Sequence, residues 1–304
     1  MEEALILDIQ RMSTEDGPGL RTTVFFKGCN LNCGWCHNPE SISKKPEVNW
    51  YSAKCIGCNI CLSVCGQGGI YKNEGLKFKR HLCLSCGKCE KECPNAAIEM
   101  KGKKYDTAKL LKELVKDRAY FGRDGGVTLS GGEVMMQPAA AAELVKGLKA
   151  EGVGTAVDTA GCYDFKILEE ILPYTDIILY DIKIFDNDLH KKFTGVENKR
   201  ILENYIKLKE KNARVWVRTP IIENATDGAE NIQKIGEFLA AAGLPEKWEL
   251  CAFNNLCRDK YERLDREWEY KNAERTKKEH IEALTEIAKK YVPSAIYSGM
   301  LKEK

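Results

Sequence analysis

The chain has 304 residues, a length that suits one α/β barrel domain with a small inserted unit. Lys and Arg number 47 and Asp and Glu 45, so the formal net charge of +2 argues against nucleic acid or an anionic membrane as the main partner. The sequence has neither an apolar stretch long enough to span a bilayer nor a signal-peptide pattern, so we expect a cytoplasmic protein.

The first predicted element is a strand at Arg21–Gly28, where β-branched and aromatic residues predominate. A cysteine-dense stretch with little apolar periodicity follows, from about Lys54 to Pro94. Beyond it, apolar runs alternate with amphipathic ones. They predict strands at Val127–Ser130, Gly154–Asp158, Asp176–Ile182, Arg214–Arg218 and Trp248–Phe253, and helices at Asp106–Phe121, Pro138–Glu151, Phe165–Leu172, Lys199–Lys211, Ala229–Ala242 and Arg275–Tyr291.

Alternating strands and helices predict a parallel sheet with right-handed crossovers. The strands make about six β/α units, fewer than the eight of a closed barrel, so we expect an open, partial (β/α)6 TIM-like barrel. We assign residues 1–47 and 104–304 to this barrel and residues 48–103 to an inserted domain. Charges of both signs in Arg258–His280 predict a solvated loop and helix face.

Three cysteines follow the first strand in the spacing Cys29-x3-Cys33-x2-Cys36. Three ligands on one loop leave one iron of a [4Fe–4S] cluster without a protein ligand, and an open metal position is where substrate chemistry can occur. The alternative is a zinc site with His37 as fourth ligand, but neighbouring side chains on an extended loop point apart. The spacing therefore favours a catalytic [4Fe–4S] cluster.

Two further runs, residues 55–65 and 83–94, each carry four cysteines in the C-x2-C-x2-C-x3-C spacing of bacterial two-cluster ferredoxins. In those proteins the fourth cysteine of each run binds the other cluster. We therefore expect a ferredoxin-like insert with two auxiliary [4Fe–4S] clusters, one held by Cys55, Cys58, Cys61 and Cys93 and the other by Cys83, Cys86, Cys89 and Cys65. A pair of zinc sites is the alternative, which the doubled ferredoxin spacing disfavours.

These assignments leave three of the 14 cysteines, namely Cys162, Cys251 and Cys257. Free cysteines usually pack as small apolar residues, and we expect this of Cys162 and Cys251. Cys257 lies in a loop near the expected active-site face, where a structural role is favoured over a catalytic one.

Polar residues end successive predicted strands, at the end where parallel barrels bind their ligands. They are Ser130, Gly131, Gly132, Glu133, Asp158, Thr159, Asp181, Lys183, Arg218 and Asn254. The two glycines let a ligand approach the backbone, whose amides could hold a carboxylate, while Glu133 could accept from an ammonium group. Helix N-capping is the alternative role for Ser130 and Asp158. As a set, these residues suit an amino acid joined to a nucleoside.

These motifs resemble those of the glycyl radical enzyme activating family of the radical S-adenosylmethionine (SAM) superfamily, which includes the pyruvate formate-lyase activating enzyme. Asp16–Ser41 is similar to the family's signature segment, and Gly125–Glu133, Val157–Gly161 and Leu179–Lys183 are similar to its other motifs. The resemblance covers nearly the whole chain. The cysteine-rich insert is similar to that of the subgroup serving arylacetate decarboxylases, choline or diol lyases, isethionate lyase and hydrocarbon-adding succinate synthases.

The resemblance implies roles for the candidate site residues. Cys29, Cys33 and Cys36 would hold the cluster that binds SAM, and Gly131, Gly132 and Glu133 would hold its methionine end. Trp35 and His37 would lie against the cluster and the adenine, Asp181 and Lys183 would contact SAM, and Asp158, Thr159, Asp181 and the Leu179 carbonyl could bind a monovalent cation. Arg218 would lie at the cofactor, and Asn254, where many relatives carry a histidine, could bond the ribose. The Gly17–Gly19 loop would lie near a peptide substrate.

The implied function is activation of a partner glycyl radical enzyme. SAM would be cleaved reductively, and the resulting 5′-deoxyadenosyl radical would take a hydrogen from a backbone glycine of the partner. A flavodoxin or ferredoxin would supply the electron through the auxiliary clusters, and an exposed cluster implies an anaerobic host. Two alternatives stay open: a radical SAM enzyme that acts on a small molecule or a non-glycyl peptide, and an electron-transfer ferredoxin fused to an inert barrel.

Overall fold

The computed structural model describes residues 2–302. Its strands are β1 (Glu3–Ser13), β2 (Arg21–Phe26), β3 (Glu47–Trp50), β4 (Ile70–Lys72), β5 (Leu76–Phe78), β6 (Ile98–Lys101), β7 (Lys103–Asp106), β8 (Gly126–Gly131), β9 (Thr155–Thr159), β10 (Ile177–Asp181), β11 (Val215–Ile221), β12 (Lys247–Ala252) and β13 (Ala295–Ser298). Its α-helices are α1 (Ile60–Val64), α2 (Lys88–Lys91), α3 (Thr107–Val115), α4 (Pro138–Ala150), α5 (Phe165–Glu169), α6 (Asn187–Thr194), α7 (Lys199–Glu210), α8 (Ala229–Ala242), α9 (Arg258–Arg263) and α10 (Lys278–Lys289).

Nine strands form one sheet in the order β7-β1-β2-β8-β9-β10-β11-β12-β13. Strands β2 and β8 to β13 run parallel to one another, whereas β1 is antiparallel to both β2 and β7. Within residues 2–302, β7 and β13 each pair with one strand only, so the sheet is open. The mostly parallel α/β architecture is confirmed, and all six predicted strands are present.

The sequence analysis did not anticipate three strands of this sheet, nor helix α6. Strand β1 buries alternate residues at its start and exposes charged ones later, while β7 and β13 have only four residues each. Strands at the edge of a sheet, or next to it, carry less of the apolar signal that marks central ones. Helix α6 is mostly polar, but Asp186 caps its first turn and Gly195 ends it, which are the signals that could have revealed it.

The core lies between the parallel strands and the helices that cover them. All of Ile177–Tyr180 in β10 are buried, as expected for a parallel strand covered on both faces. Helix α8 buries Ile232, Ile235 and Leu239, which share one helical face. Each such side chain contributes ~1.5–3 kcal/mol, so the core fixes the strand ends firmly. No helix within residues 2–302 combines the length and apolar character needed to cross a membrane.

The cysteine-rich residues form a small unit beside the sheet. In this unit, β3 pairs antiparallel with β6 and β4 with β5, and helices α1 and α2 have five and four residues. Its apolar cluster is separate from the core of the main sheet and contains Val48, Ile70, Leu76, Ile98 and Met100. So small a core supplies little stability, which is typical of units that depend on bound metal.

A buried ion cluster joins the small unit to the main sheet. The Glu47 carboxylate lies 3.1 Å from Lys27 Nζ, 2.8 Å from Arg266 Nη2 and 3.7 Å from Arg80 Nη1. The Lys27 side chain is fully buried, and burial lowers its pKa. Arg80 Nε also donates to the Leu264 carbonyl at 2.9 Å. Strand β2, the small unit and the C-terminal segment therefore meet at this one cluster, which we call the junction.

The segment Arg258–His280 differs from its prediction as a solvated loop and helix face. Tyr261, Leu264, Trp268 and Tyr270 are all buried. The Tyr261 and Trp268 rings stack with their centroids 4.8 Å apart. The prediction was wrong because the dense charges of this segment conceal aromatic residues that pack inward from α9 and from the loop that follows it.

Candidate active site

The loop of the three-cysteine motif, residues 29–36, leaves the C-terminal end of β2. The Cys29 amide donates to the Ile42 carbonyl at 3.0 Å. The amides of Asn32 and Gly34 donate at 2.8 and 3.1 Å to carbonyls at the end of α6. The loop is therefore fixed from both sides by backbone hydrogen bonds, so its cysteines have defined positions.

The C-terminal segment clamps the same loop. Tyr261 Oη donates to the Cys36 carbonyl at 2.9 Å, and Trp268 Nε1 donates to the Gly34 carbonyl at 2.9 Å. Cys257 is buried beside them, with its sulfur 3.9 Å from the Cys36 carbonyl oxygen. The sequence analysis missed Tyr261 and Trp268. Their signal was the group of aromatic residues inside an otherwise charged run.

Cys29, Cys33 and Cys36 are half-buried and form one group of thiols. Burial raises the pKa of each thiol to about 12, and the charge of a second cysteine of the group adds to the rise, whereas Lys183 opposes it in all three. Thiolates persist in such a place only beside positive charge, which a metal centre supplies. The residues present therefore fit an iron–sulfur cluster.

Gly131 and Gly132 allow close contact between the ends of β8 and β2. A Cβ atom on Gly131 would lie 2.3 Å from the Phe26 nitrogen, and one on Gly132 would lie 2.3 Å from the Gly28 oxygen. Gly131 also has a φ of +117°, which favours glycine. The Gly132 amide donates to the Phe26 carbonyl at 2.9 Å, so the amide that we expected to hold a carboxylate is already paired. Strand packing accounts for both glycines, and their expected contact with the methionine end of SAM stays a prediction.

Glu133 is buried and links the ends of β8 and β9. Its carboxylate accepts from Thr159 Oγ1 at 2.8 Å, from the Ala160 amide at 3.0 Å and from the Met135 amide at 3.1 Å. Burial raises the pKa of Glu133 to about 7 despite these donors. The expected contact between Glu133 and an ammonium group, and that between Thr159 and a cation, stay predictions.

Polar side chains on β8 to β12 form a continuous row, in which Arg218 lies in the middle of β11 rather than at its end, where it was predicted. Ser130 Oγ donates to Asp158 Oδ2 at 2.8 Å, and Arg218 Nη1 lies 3.7 Å from the same oxygen. The strand register places Arg218 between Asp181 and Glu249, and its Nε lies 3.8 Å from the Glu249 carboxylate. Burial raises the pKa of Asp158 to about 6. Glu249 was missed, although a charged residue inside an apolar strand was its signal.

Lys183 brings a fixed positive charge from this row toward the cysteines. Its Nζ donates to Asp181 Oδ2 at 2.5 Å. Burial lowers the pKa of Lys183, but the charges of Asp181 and Cys33 outweigh it, so the net shift of the pKa is upward. Lys183 therefore stays protonated at neutral pH between the strand ends and the cysteine loop.

Trp35, His37 and Asn254 lie around the same loop. The Trp35 ring is buried, with its centroid 6.2 Å from that of Phe193 in α6. The His37 ring lies 5.9 Å from the Phe253 ring, and burial lowers the pKa of His37. The Asn254 side-chain oxygen accepts from a neighbouring backbone amide at 3.2 Å.

The Gly17–Gly19 loop lies at the opposite end of β2 from Cys29. The buried Arg21 guanidinium donates to the Pro18 carbonyl at 3.0 Å and to the Val127 carbonyl at 2.8 Å. These bonds hold the loop against the N-terminal ends of the parallel strands. Its expected proximity to a peptide substrate stays a prediction.

The eight cysteines of the small unit surround two cavities. The inner cavity, of about 280 Å³, adjoins the junction through Glu47 and is lined by Cys65, Cys83, Cys86 and Cys89. The outer cavity, of about 80 Å³, takes all its lining from residues 50–98 and is lined by Cys55, Cys58, Cys61 and Cys93. Each cavity therefore combines three cysteines of one run with the fourth cysteine of the other.

One polar atom in the wall of the outer cavity lacks a partner. Trp50 Nε1 is buried and has no hydrogen-bond acceptor within residues 2–302. An unsatisfied buried donor costs ~1–3 kcal/mol, and a sulfide or thiolate in the cavity would accept from it. Among the same residues, no three His, Cys, Asp or Glu side chains converge as ligands of a single metal ion. Four cysteines around one cavity are the ligand number of a [4Fe–4S] cluster.

Comparison with known proteins agrees with this geometry. The sequence profile of the radical SAM superfamily matches residues 23–239. The (2S)-3-sulfopropanediol dehydratase activating enzyme of Klebsiella oxytoca is 37% identical in an alignment of 294 residues that covers 93% of this chain and 93% of its own. The trans-4-hydroxy-L-proline dehydratase activating enzyme of Clostridioides difficile is 36% identical over 93% of this chain and 95% of its own. Among solved structures, Streptococcus suis SuiB bound to precursor peptide SuiA has a TM-score of 0.55 at 12% identity, covering 89% of this chain and 46% of that one, which bears on the fold alone.

The matched profile runs from β2 into α8 and therefore contains the three-cysteine loop and most of the polar strand ends. The two activating enzymes extend the similarity over nearly the whole chain. The chain belongs to the radical SAM superfamily and, within it, to the activating enzymes of glycyl radical enzymes.

Proposed function

We propose that this protein cleaves SAM reductively and uses the 5′-deoxyadenosyl radical to remove a hydrogen from a backbone glycine of a partner glycyl radical enzyme. The observation that carries the proposal is the three-cysteine loop, which is rigidly held opposite the polar strand ends. The similarity to activating enzymes over nearly the whole chain supports the same function. The open sheet supports it too, because a segment of another protein must reach the site.

In this proposal Cys29, Cys33 and Cys36 hold a [4Fe–4S] cluster, which when bound supplies the electron for SAM cleavage. The pair formed by Asp181 and Lys183 offers both charges to the zwitterionic methionine end of SAM. The same proposal assigns the methionine end to Gly131, Gly132 and Glu133, the adenine side to Trp35 and His37, and the ribose side to Asn254. The positive charge of Arg218 lies close to the carboxylates of Asp158 and Glu249 and offsets part of their negative charge.

A monovalent cation at Asp158, Thr159, Asp181 and the Leu179 carbonyl belongs to the proposal as well. The support is electrostatic. The raised pKa of Asp158 marks a buried carboxylate whose negative charge Arg218 compensates only partly. A cation beside it would favour the ionised form.

We further propose that residues 48–103 are a ferredoxin-like domain that holds two auxiliary [4Fe–4S] clusters. The two cysteine sets around separate cavities and the unpartnered Trp50 Nε1 support this assignment. When bound, these clusters supply one-electron chemistry between a flavodoxin or ferredoxin donor and the SAM site. The inner cavity is the nearer of the two to that site, because it reaches residues 43–48 behind the cysteine loop.

The experiment that tests the main proposal is anaerobic EPR of the reconstituted protein with SAM, a reductant and the glycyl radical enzyme encoded beside it. We expect a persistent doublet assigned to a glycyl radical on the partner, together with 5′-deoxyadenosine. If SAM is cleaved and a small molecule is turned over while no protein radical forms, the small-molecule alternative replaces this proposal.

The auxiliary clusters are tested by Cys58→Ala. We expect reduction by a protein donor to slow strongly, while SAM cleavage with a chemical reductant continues, because the three-cysteine loop is untouched. Cys162→Ala is the control, since Cys162 lies outside all three cysteine sets. Identical rates for wild type and Cys58→Ala with the protein donor would contradict the relay.

A further inference from the structure

Each cysteine run carries an unusually exposed apolar residue directly after its first cysteine. The side chain of Ile56, after Cys55, is 66% exposed, and that of Leu84, after Cys83, is 69% exposed. Ile60 at the outer cavity is also exposed. A second exposed feature accompanies these residues, because Cys58 and Cys86 are the two exposed cysteines of the small unit. Apolar residues around a reachable redox site are typical of surfaces that bind a partner transiently.

The small unit differs in charge from the rest of the chain. Residues 48–103 contain nine Lys and Arg against four Glu and no Asp, a net charge of +5, so the remainder of this +2 chain carries −3. Within the unit the charge is uneven. Residues 51–72 contain Lys54 and Lys72 and no acidic residue, whereas residues 83–94 balance Lys88 and Lys91 with two glutamates. The residues around the first run therefore carry positive charge with no acidic residue among them, whereas Lys77 and Arg80, which precede the second run, pair with Asp265 and Glu47.

Lys54 and Lys72 lie beside the outer cavity. Lys72 lines it, and Lys54 immediately precedes Cys55. Both side chains are exposed. We call Lys54, Ile56, Ile60 and Lys72, together with the exposed Cys58, the outer face. It combines two apolar contacts with two cations, which suits a partner with the opposite charge and apolar contacts of its own.

We propose that the outer face is the docking site of a small, acidic, one-electron carrier protein of the ferredoxin type. The inference rests on the proposed function, because it assumes that a cluster occupies the outer cavity. In the transfer, one electron leaves the reduced carrier and one electron is gained by that cluster, with no bond formed or broken and no proton moved. If the carrier protein docked at Leu84 instead, the electron would enter at the inner cavity. The cluster held by the four cysteines of the outer cavity would then not take part in electron transfer.

The test compares Ile56→Glu with Leu84→Glu in the full-length, reconstituted protein under anaerobic conditions. The two positions are matched in sequence context and exposure, so each variant controls for the other. The probe is a purified acidic bacterial ferredoxin. We measure the dissociation constant of the oxidised ferredoxin by calorimetry and the second-order rate of cluster reduction by the prereduced form in stopped flow.

For Ile56→Glu we expect weaker binding and slower reduction, each by about tenfold or more, because a carboxylate is introduced opposite an acidic partner. For Leu84→Glu we expect both values to stay within about twofold of wild type. Reduction by dithionite, a small reductant that needs no docking face, should be the same in all three proteins. Raising the ionic strength should slow reduction of the wild type by ferredoxin, because screening weakens the attraction.

A second pair of variants keeps the test decisive if a glutamate at position 56 disturbs Cys55. Lys54→Glu with Lys72→Glu changes only exposed charges of the outer face, and Lys88→Glu with Lys91→Glu is the matched double change on α2. We expect the first pair alone to weaken binding and slow reduction. A larger effect of the Leu84 and Lys88/Lys91 variants would overturn the proposal in favour of entry at the inner cavity. Equal rates in all variants would overturn it altogether.

The outcomes separate this inference from the proposed function. SAM cleavage with a chemical reductant depends on the three-cysteine loop and should persist in every variant. If the wild type itself yields no 5′-deoxyadenosine under chemical reduction, the proposed function fails, whatever the ferredoxin data show. If cleavage persists and the outer-face variants bind ferredoxin as the wild type does, only the docking inference fails.

Discussion

The main sheet and the small cysteine-rich unit assemble their functional residues in opposite ways. In the sheet, Asp158, Lys183 and Arg218 come from distant parts of the sequence, and buried strands that pair on both sides fix them in one row. In the small unit, eight cysteines come from two short runs, and the surrounding elements have only three to five residues. The sheet can therefore preset its site by packing, whereas the small unit depends more on what its cysteines bind.

The largest expected effect separates the two regions by function. Cys36→Ala removes a ligand of the cluster at the main sheet, so we expect no 5′-deoxyadenosine with either chemical or protein reductants. The iron content should fall from about twelve to about eight per chain, because the cysteines of the small unit are unchanged. Cys257→Ala is the matched control, since Cys257 packs against the Cys36 carbonyl without belonging to the motif. Retained SAM cleavage in Cys36→Ala would contradict the site assignment.

The second effect tests how strongly the two regions are joined. Glu47→Gln leaves the buried Lys27 without its carboxylate partner and weakens the contacts with Arg266 and Arg80. Breaking a buried pair on one side costs about 3 kcal/mol, so the free energy of unfolding of the reconstituted protein should fall by about that amount in urea titrations. Glu113→Gln is the control, because its pair with Arg11 is exposed and should leave stability unchanged within error. Equal midpoints for both variants would show that the junction contributes no stability.

The difference between the regions also decides what could be predicted from the sequence. The cysteine sets were predictable because their spacing is local, and the central strands because residues such as Ile177–Tyr180 are continuously apolar. The aromatic clamp of Tyr261 and Trp268 was not, because its partners lie more than 200 residues away and its own segment is densely charged. The row was predicted without Glu249, whose inward direction depends on strand register rather than on motif.

The third effect concerns the pH dependence of the preset site. The pKa of Glu133 is raised by burial from 4.5 to about 7. Between these pH values the folded protein keeps a proton that the unfolded chain has released, so the contribution of Glu133 to stability falls as the pH rises from about 4.5 to 7. Glu133→Gln mimics the protonated form and should remove this slope. We expect the thermal midpoint of the wild type, relative to the variant, to drop by a few degrees across that range.

An infrared measurement identifies the group directly. The protonated carboxyl band of the wild type should titrate with a midpoint near pH 7 and be absent in Glu133→Gln. Asp158 also titrates late, near pH 6, so Asp158→Asn should remove a different component of the same band. If the wild-type band disappears by pH 5, Glu133 is ionised in the folded protein at neutral pH. The hydrogen-bond donors around its carboxylate would then outweigh the effect of burial on its pKa.

The smallest expected effect tests whether the small unit, like the sheet, holds a polar group in place for its cofactor before the cofactor binds. Trp50→Phe removes the unpartnered indole donor of the outer cavity while keeping an aromatic ring against Gly75. A donor to sulfur stabilises the more negative, reduced cluster, so its loss should lower the reduced-to-oxidised ratio of one cluster at fixed potential by about threefold to tenfold. Trp216→Phe is the control, because its indole bonds Glu246 on the main sheet.

Pulsed EPR with ¹⁵N-labelled tryptophan distinguishes a direct bond from a packing effect. A reduced cluster should couple to an indole nitrogen in the wild type and in Trp216→Phe, and this coupling should vanish in Trp50→Phe. A shifted potential without a lost coupling would mean that Trp50 acts through packing alone, and the small unit would then leave its metal sites to the cysteines. If the coupling is present in the wild type and vanishes in Trp50→Phe, the small unit positions a hydrogen-bond donor for its cluster despite its small core. The small unit and the sheet would then differ only in how many groups they position before the cofactor binds.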